Sequence, residues 1–264
     1  MGSKTHIDTT KLMYRSNIAG VIKTVLEVNL DERHIRQLKR TPFWLMIESI
    51  RTHNLQANTF KKCDETVCRI IQTYNPRDEK FYVGGHGLAL RNSDIRLIFG
   101  IQCSKDKLDV SSSPKPTSDF MQRRCPTVGR ISCKLVKDLL FDALKGRTER
   151  DEEDVAKLLC LYICATVRST LINSLNDFHI RPEKVTGCVV ALLFMICKHT
   201  NLIEPERQAA IARFCKWNVG LLICKIKGLE LTSAESLQVN YDKLCGTILE
   251  RYTLSVPNDD QVPV

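Results

Sequence analysis

The sequence predicts a mainly α-helical fold carrying one small β-hairpin near residues 81–90. Three observations predict it. Apolar residues recur at helical spacing along much of the chain, as in Phe60, Val67, Ile70, Ile71 and Tyr74. Acids cluster where helices would begin, at Asp31-Glu32 and at Asp151-Glu152-Glu153-Asp154, and a first helical turn favours negative charge. The hairpin signal is Phe81-Tyr82-Val83 and Leu88-Ala89-Leu90 on either side of Gly84-Gly85-His86-Gly87.

In chain order, residues 1–17 are polar and predicted to be flexible. Ile18 to Val28 reads as a short helix. A second starts at Asn29-Leu30-Asp31-Glu32 and carries Ile35 and Leu38 on one face. Thr41-Pro42 interrupts it, because a residue before proline is pushed out of the α region. Phe43 to Ile50 resumes as helix, with Phe43, Trp44 and Ile47 facing the core. Asn58 to Tyr74 is a helix ended by the turn Asn75-Pro76-Arg77-Asp78. After the hairpin, Asn92 or Ser93 caps a helix over Asp94–Phe99 that stops at Gly100. Residues 102–119, with the run Ser111 to Ser118, form a loop or linker. Ile131–Leu144 and Asp151–Val167 have helical periodicity. Helices are also expected from Pro182 to His199, from Pro205 to about Cys215 and onward to Lys227, and over Leu237–Leu254. The organisation predicted is a helical subdomain over 18–101, the linker, a second helical subdomain over 120–254 packing on the first, and a tail at 255–264.

The 264 residues are 43% hydrophobic and 26% charged, enough for a core and unlike a disordered chain. The 12 cysteines sit mostly in apolar helical runs, where a thiol behaves as a small hydrophobe. Met1 to Thr10 is polar with no apolar stretch behind it, so no secretory leader is expected. Reduced thiols inside the cell, in nucleus or cytoplasm, are the expectation. The longest uncharged run, Val185 to Cys197, is too short for a bilayer, so no membrane association is expected.

Candidate chemistry is sparse. Gly84-Gly85-His86-Gly87 lacks the spacing and the following lysine of a phosphate cradle. Cys63/Cys68, Cys160/Cys164 and Cys197/His199 do not form the close pairs of a structural metal site. His86, His179 and His199 are candidate bases for a cysteine nucleophile, but no cysteine lies in a nucleophile motif. His199 is expected at a helix end, where a positive charge suits the dipole. No catalytic residue, cofactor or metal is assigned. Charge is the one positive signal. Residues 1–150 hold 27 Lys+Arg against 16 Asp+Glu, or +11, and residues 151–264 hold 12 against 14, or −2. The densest stretch, Met121–Arg147, supplies Arg123, Arg124, Arg130, Lys134 and Lys137 as candidate polyanion-binding residues for DNA or RNA. An inert basic surface is the other reading of the same residues. Few aromatics interleave them, which argues against a stacking platform for single strands.

Several blocks in order resemble a plant transposon-derived domain. They are Leu30-Asp31-Glu32-Arg33 with Thr41-Pro42-Phe43, then Tyr74-Asn75-Pro76 leading to Phe81-Tyr82-Val83-Gly84-Gly85, then Leu88 to Ile101. Lys157 to Val167 and Thr186 to Glu204 complete the set. The sequence is similar to the aminotransferase-like plant mobile domain, and to the region preceding Ulp-type cysteine protease domains in plant mobile-element proteins. The likeness covers roughly residues 30–227. It implies a plant source and a helical domain, and no cofactor-lysine motif supports transaminase chemistry. Two departures stand out. The segment between Val167 and Thr186 is short for the family, and no stretch matches the protease's Asp-Cys-Gly motif. The expected function is a non-enzymatic module acting on an unidentified protein partner. A nucleic-acid-associated role is the alternative, and a thiol-dependent hydrolase the third.

Overall fold

Asp31 ends one segment and begins the next by its own hydrogen bonds. Its carboxylate accepts the amides of Arg33 and His34 at 3.0 and 3.1 Å, and its amide donates to His34 Nδ1 at 3.3 Å. Those contacts satisfy amides that a helix start leaves without intrahelical partners. They also hold the Asp31 carboxyl down at about 2, the His34 amide contributing first and the Arg33 guanidinium next.

The computed structural model describes residues 13–15, 18–53, 55, 57, 64–102, 118–125, 132–167, 184–186, 189–235 and 237–239. Helices α1 (Ile18–Glu27), α2 (Glu32–Lys39), α3 (Trp44–His53) and α4 (Asp64–Gln72) come first, after a short strand β1 (Met13–Arg15). Strands β2 (Tyr74–Asn75), β3 (Lys80–Val83) and β4 (His86–Leu88) follow. Then come α5 (Asn92–Phe99), α6 (Asp119–Arg124), α7 (Cys133–Ala143), α8 (Glu149–Val167), β5 (Lys184–Thr186), α9 (Val190–His199) and α10 (Val219–Ile226). The fold is mainly helical with one small antiparallel sheet, as the sequence predicts.

The helices pack in two groups. In one, α8 lies against α1, α2 and α7. In the other, α9 lies against α4, α5 and α10. Helix α3 touches α1 in the first group and the 3-10 turn Arg213–Cys215 in the second. Every residue of α9 is buried, so it is apolar all round apart from its last turn. Buried side chains of residues 18–99 and of residues 136–237 form one cluster. The rings of Phe99 and Phe214 lie 5.8 Å apart at its centre, with Phe194 at 6.5 Å from Phe214.

The hairpin is wider than predicted. Tyr74 pairs with Phe81 across β2–β3, and Phe81 with Leu88 across β3–β4, giving three strands. Phe81 and Val83 are buried while Tyr82 is exposed, the alternation of a half-buried strand. Its turn is gripped from outside. The amides of Gly84 and Gly85 donate to the carbonyls of Leu231 and Thr232 at 2.8 and 3.0 Å. Gly84 has φ +56°, and a Cβ there would stand 2.2 Å from the Leu237 carbonyl oxygen, so only glycine fits. Arg69 ties the same C-terminal stretch to α4, donating to the carbonyls of Ile226 at 3.0 Å and of Leu229.

Several expectations need correction. Within the stretch 1–17 read as flexible, Met13–Arg15 form a strand, parallel to Lys184–Thr186. The helix expected from Pro182 begins instead at Val190, because β-branched Val185 and Thr186 are taken into that pairing. The helix expected from Pro205 to about Cys215 is a looped segment, and of its continuation to Lys227 Val219–Ile226 is helical. Arg207 accepts no helical register there: its amide donates to the Lys216 carbonyl at 3.2 Å. The consecutive residues Ala212 to Lys216 are all buried, and Phe214 enters the Phe99–Phe194 cluster, so tertiary packing overrides helix propensity. At α5 the cap is neither Asn92 nor Ser93. Helix α5 starts after Arg91, whose amide donates to the Asp94 carboxylate at 2.9 Å, while Gly100 ends it with φ +66° as expected. The Asn58–Cys63 part of the fourth helix, most of the 102–119 linker, the Leu237–Leu254 helix beyond Val239 and the 255–264 tail lie outside the described residues.

Candidate interaction site

Helices α2 and α3 are joined by a tight corner. The Thr41 amide and hydroxyl both donate to the Leu38 carbonyl, at 2.9 and 2.7 Å, and the Trp44 amide donates to the Thr41 carbonyl at 3.3 Å. Pro42 sits in this corner, where the lack of an amide proton costs nothing. The two helices bury Leu38, Met46, Ile47 and Ile50 completely. What they leave outside is a groove of about 440 Å³ lined by Glu32, Ile35, Lys39, Trp44, Glu48, Arg51 and Thr52. On α2 the lining residues are spaced three and four apart, and on α3 four, three and one, so each helix contributes one face. Ile35 is half-buried and Trp44 nearly fully buried, and together they form the apolar floor. Lys39 Nζ stands 5.8 Å from the Trp44 ring centre, a cation–π distance. Glu32, Lys39 and Glu48 are exposed and Arg51 is half-exposed. None of these four charges is in an ion pair with another described residue.

The basic residues singled out from sequence are dispersed among different tasks. Arg123 and Arg124, at the end of α6, turn onto α8. Arg123 donates to Asp154 at 2.7 Å and also pairs with Asp119. Arg124 pairs with Asp154 at 2.8 Å, with Asp151 at 2.6 Å and with Asp142 at 3.5 Å. Asp154 is fully buried, so its charge requires these two partners. Thr148 caps α8 reciprocally with Asp151; those bonds, chiefly, and Arg124 hold the Asp151 carboxyl below the usual range. Helix α6 itself buries no residue, and this clamp and the packing of half-buried Phe120 help to hold it. Lys137 pairs with Glu27 at 3.0 Å, joining α7 to α1. Lys134 is exposed on α7. Arg130 lies outside the described residues.

Compared with known proteins, the chain matches no family model, no curated protein and no solved structure. The site therefore rests on geometry.

Burial sets the state of three of the thiols. The eight cysteines among the described residues are free. A nucleophilic thiol needs a lowered pKa. Here burial pushes Cys160 up to about 11 and Cys215 up to about 12, and drives Cys197 up as well. His199 lies in the last turn of α9 as expected, but it is not a charged helix-end residue. It is 3% exposed, and burial lowers it to about 4, outweighing the nearby Asp94 carboxylate that raises it. It is neutral at pH 7, and the desolvation cost of the imidazolium exceeds what the dipole returns. Among the described residues no group of three or more His, Cys, Asp or Glu is placed to hold a metal ion, and no helix is long and apolar enough to cross a membrane.

Sequence reasoning missed the groove. It placed Ile35 and Leu38 on one face without dividing that face; Leu38 is fully buried and Ile35 only half-buried. The signal that would have found it is the order acid, apolar, base at Glu32, Ile35 and Lys39.

Proposed function

We propose that this chain is a non-enzymatic, transposon-derived helical module that acts through protein–protein contact at the α2–α3 groove. The observation that carries the reading is the groove's make-up: an apolar floor of Ile35 and Trp44 ringed by four charges that pair with no other described residue. Such a surface offers a partner both an area to desolvate and polar groups to fix its register. The transposon-derived origin rests on the sequence blocks over residues 30–227. The pairing of Arg123 and Arg124 with carboxylates adds support, since it gives these two of the basic residues a role in the scaffold.

The experiment is a photo-crosslinking side chain placed at Ile35, used in native tissue extract treated with nuclease and repeated at two salt levels. The expected result is a discrete crosslinked protein that survives nuclease and disappears when Lys39→Glu and Glu48→Lys are added. Capture that vanishes with nuclease, or that ignores the groove substitutions, overturns the reading. So does turnover of a peptide or nucleotide substrate by the pure chain. The nucleic-acid reading draws on the +11 charge of residues 1–150. It expects salt-sensitive DNA or RNA binding lost on neutralising Arg123, Arg124, Arg130, Lys134 and Lys137.

A further inference from the structure

We propose that Thr148 is a phosphorylation site and that its phosphate releases α6 from α8. The inference is independent of the α2–α3 groove. It starts from the residues that lead from α7 into α8. Lys145 and residues 147 to 150 are exposed, and Gly146 is half-buried. Thr148 is the one serine or threonine of the sequence with a lysine or arginine both three and one positions before it, at Lys145 and Arg147. A protein kinase with an acidic substrate groove selects its acceptor by bases on that side. Lys145 pairs with exposed Asp142 at 3.4 Å, a contact that water screens, so an acidic groove can take it over. The acids that follow Thr148 are engaged instead. Asp151 holds Arg124, and Glu152 is buried and pairs with Arg33 at 3.3 Å. The kinase class is therefore one that reads bases. It transfers the γ-phosphoryl group of a nucleoside triphosphate. A bond forms between Thr148 Oγ1 and phosphorus, and the bond from that phosphorus to the bridging oxygen breaks. The nucleoside diphosphate leaves, and the hydroxyl proton passes to the kinase's own base.

What the phosphate does follows from the Asp151 carboxylate. One of its oxygens accepts the Thr148 hydroxyl at 2.6 Å and the Thr148 amide at 3.1 Å, and the other accepts from Arg124 at 2.6 Å. Gly146 passes so close that a Cβ there would stand 2.2 Å from the Asp151 carboxyl carbon. Phosphorylation removes the proton that joins Thr148 to Asp151 and puts about −1.5 to −2 charge in its place. Phosphate and carboxylate then repel, and both compete for Arg124. The phosphate wins, because it carries more charge and accepts the fork of a guanidinium. Arg124 also donates to Asp154 at 2.8 Å. Drawing it toward Thr148 leaves the fully buried Asp154 with Arg123, at 2.7 Å. A buried carboxylate that loses one of two cations is destabilised. Helix α6 buries no residue, so it is the element that loosens.

The test gives the purified full chain and magnesium ATP to two kinases, one selecting bases before its acceptor and one selecting acids after it. Peptide mass spectrometry locates the phosphate. The base-selecting kinase is expected to modify Thr148. Lys145→Ala with Arg147→Ala should slow that reaction by about tenfold or more, while a thermal melt shows the fold kept. Hydrogen–deuterium exchange then compares the chain with and without phosphate. Amides of residues 119–125 should exchange at least about fivefold faster once Thr148 is phosphorylated, and those of α9, in the other group of helices, should not change. Thr148→Ser accepts phosphate at the same place and should reproduce the release. Thr148→Val accepts none there, so the same kinase should leave its exchange as it was. Phosphate on other residues with Thr148 unmodified overturns the proposal. So does modification of Thr148 by the acid-selecting kinase alone, or a double variant modified at the full rate. A phosphate on Thr148 that leaves residues 119–125 as protected as before also overturns it.

Discussion

Replacing Asp154 with alanine tests whether two arginines hold α6 onto α8. The Asp154 carboxylate is fully buried and accepts from Arg123 at 2.7 Å and from Arg124 at 2.8 Å. A hydrogen bond to a charged group contributes roughly 1.5–3 kcal/mol. The two arginines are 27% and 15% exposed, so water screens them and the lower end applies, about 3 kcal/mol for the pair. Removing a buried carboxylate also returns its desolvation cost, and Arg124 keeps Asp151 at 2.6 Å. A net loss of about 2 kcal/mol is expected. In urea unfolding followed by circular dichroism, a slope of about 3 kcal/mol/M converts this to a midpoint lower by about 0.7 M. A double-mutant cycle of Asp154→Ala with Arg124→Ala should show a coupling of at least about 1 kcal/mol, because the two residues share one contact. A coupling near zero would refute the clamp, whatever the single variants do.

Three further outcomes follow from buried groups and turns. Gly84→Ala should cost about 3 kcal/mol or more, since it combines positive-φ strain with a Cβ only 2.2 Å from the Leu237 oxygen. Gly228→Ala, with φ +90° and nothing within 4 Å, should cost about 1 kcal/mol, and equal losses in urea titrations would contradict the close approach. His199 binds its proton less readily folded, at about 4, than unfolded, at about 6.5, so its contribution is complete above pH 6.5 and declines as pH falls toward 4. The loss reaches at most about 3 kcal/mol, and a His199→Gln chain should show a flatter stability profile across that window; an unchanged profile would remove His199 as the cause. Alkylation of the native chain at neutral pH should mark exposed Cys224 well before buried Cys197 and Cys215, as read by peptide mass spectrometry. Rapid native labelling of Cys197 would contradict its burial.

What the sequence disclosed was local. The helix start at Asn29–Glu32, the break at Thr41-Pro42, the acid-led α8, the Phe81–Leu88 hairpin and the Gly100 stop are each written in a few neighbouring residues. What it withheld depends on distant ones. Arg123 and Arg124 read as free charge because their partner Asp154 comes 31 and 30 residues later, and Lys137 reads the same way because Glu27 lies 110 residues earlier. The segment after Pro205 carries helical residues, but burial of Phe214 against Phe99 decides its path. The groove was hidden for another reason. Periodicity assigns Ile35 to an apolar face without saying where that face ends, and only the packing of α8 against α2 leaves Ile35 at its margin.

The grip of the C-terminal stretch on the hairpin turn sets a timetable for synthesis. Arg69 reaches the Ile226 carbonyl across 157 residues of chain, and the Gly84 and Gly85 amides wait for carbonyls beyond it. At about 5–20 residues per second, a ribosome needs about 8–30 s to supply them. During that interval the hairpin can form its own ladder within microseconds, but its turn amides and the Arg69 guanidinium have only water to bind. The hairpin thus leaves the ribosome with its turn open to solvent, and closure waits for the segment Ile226–Thr232.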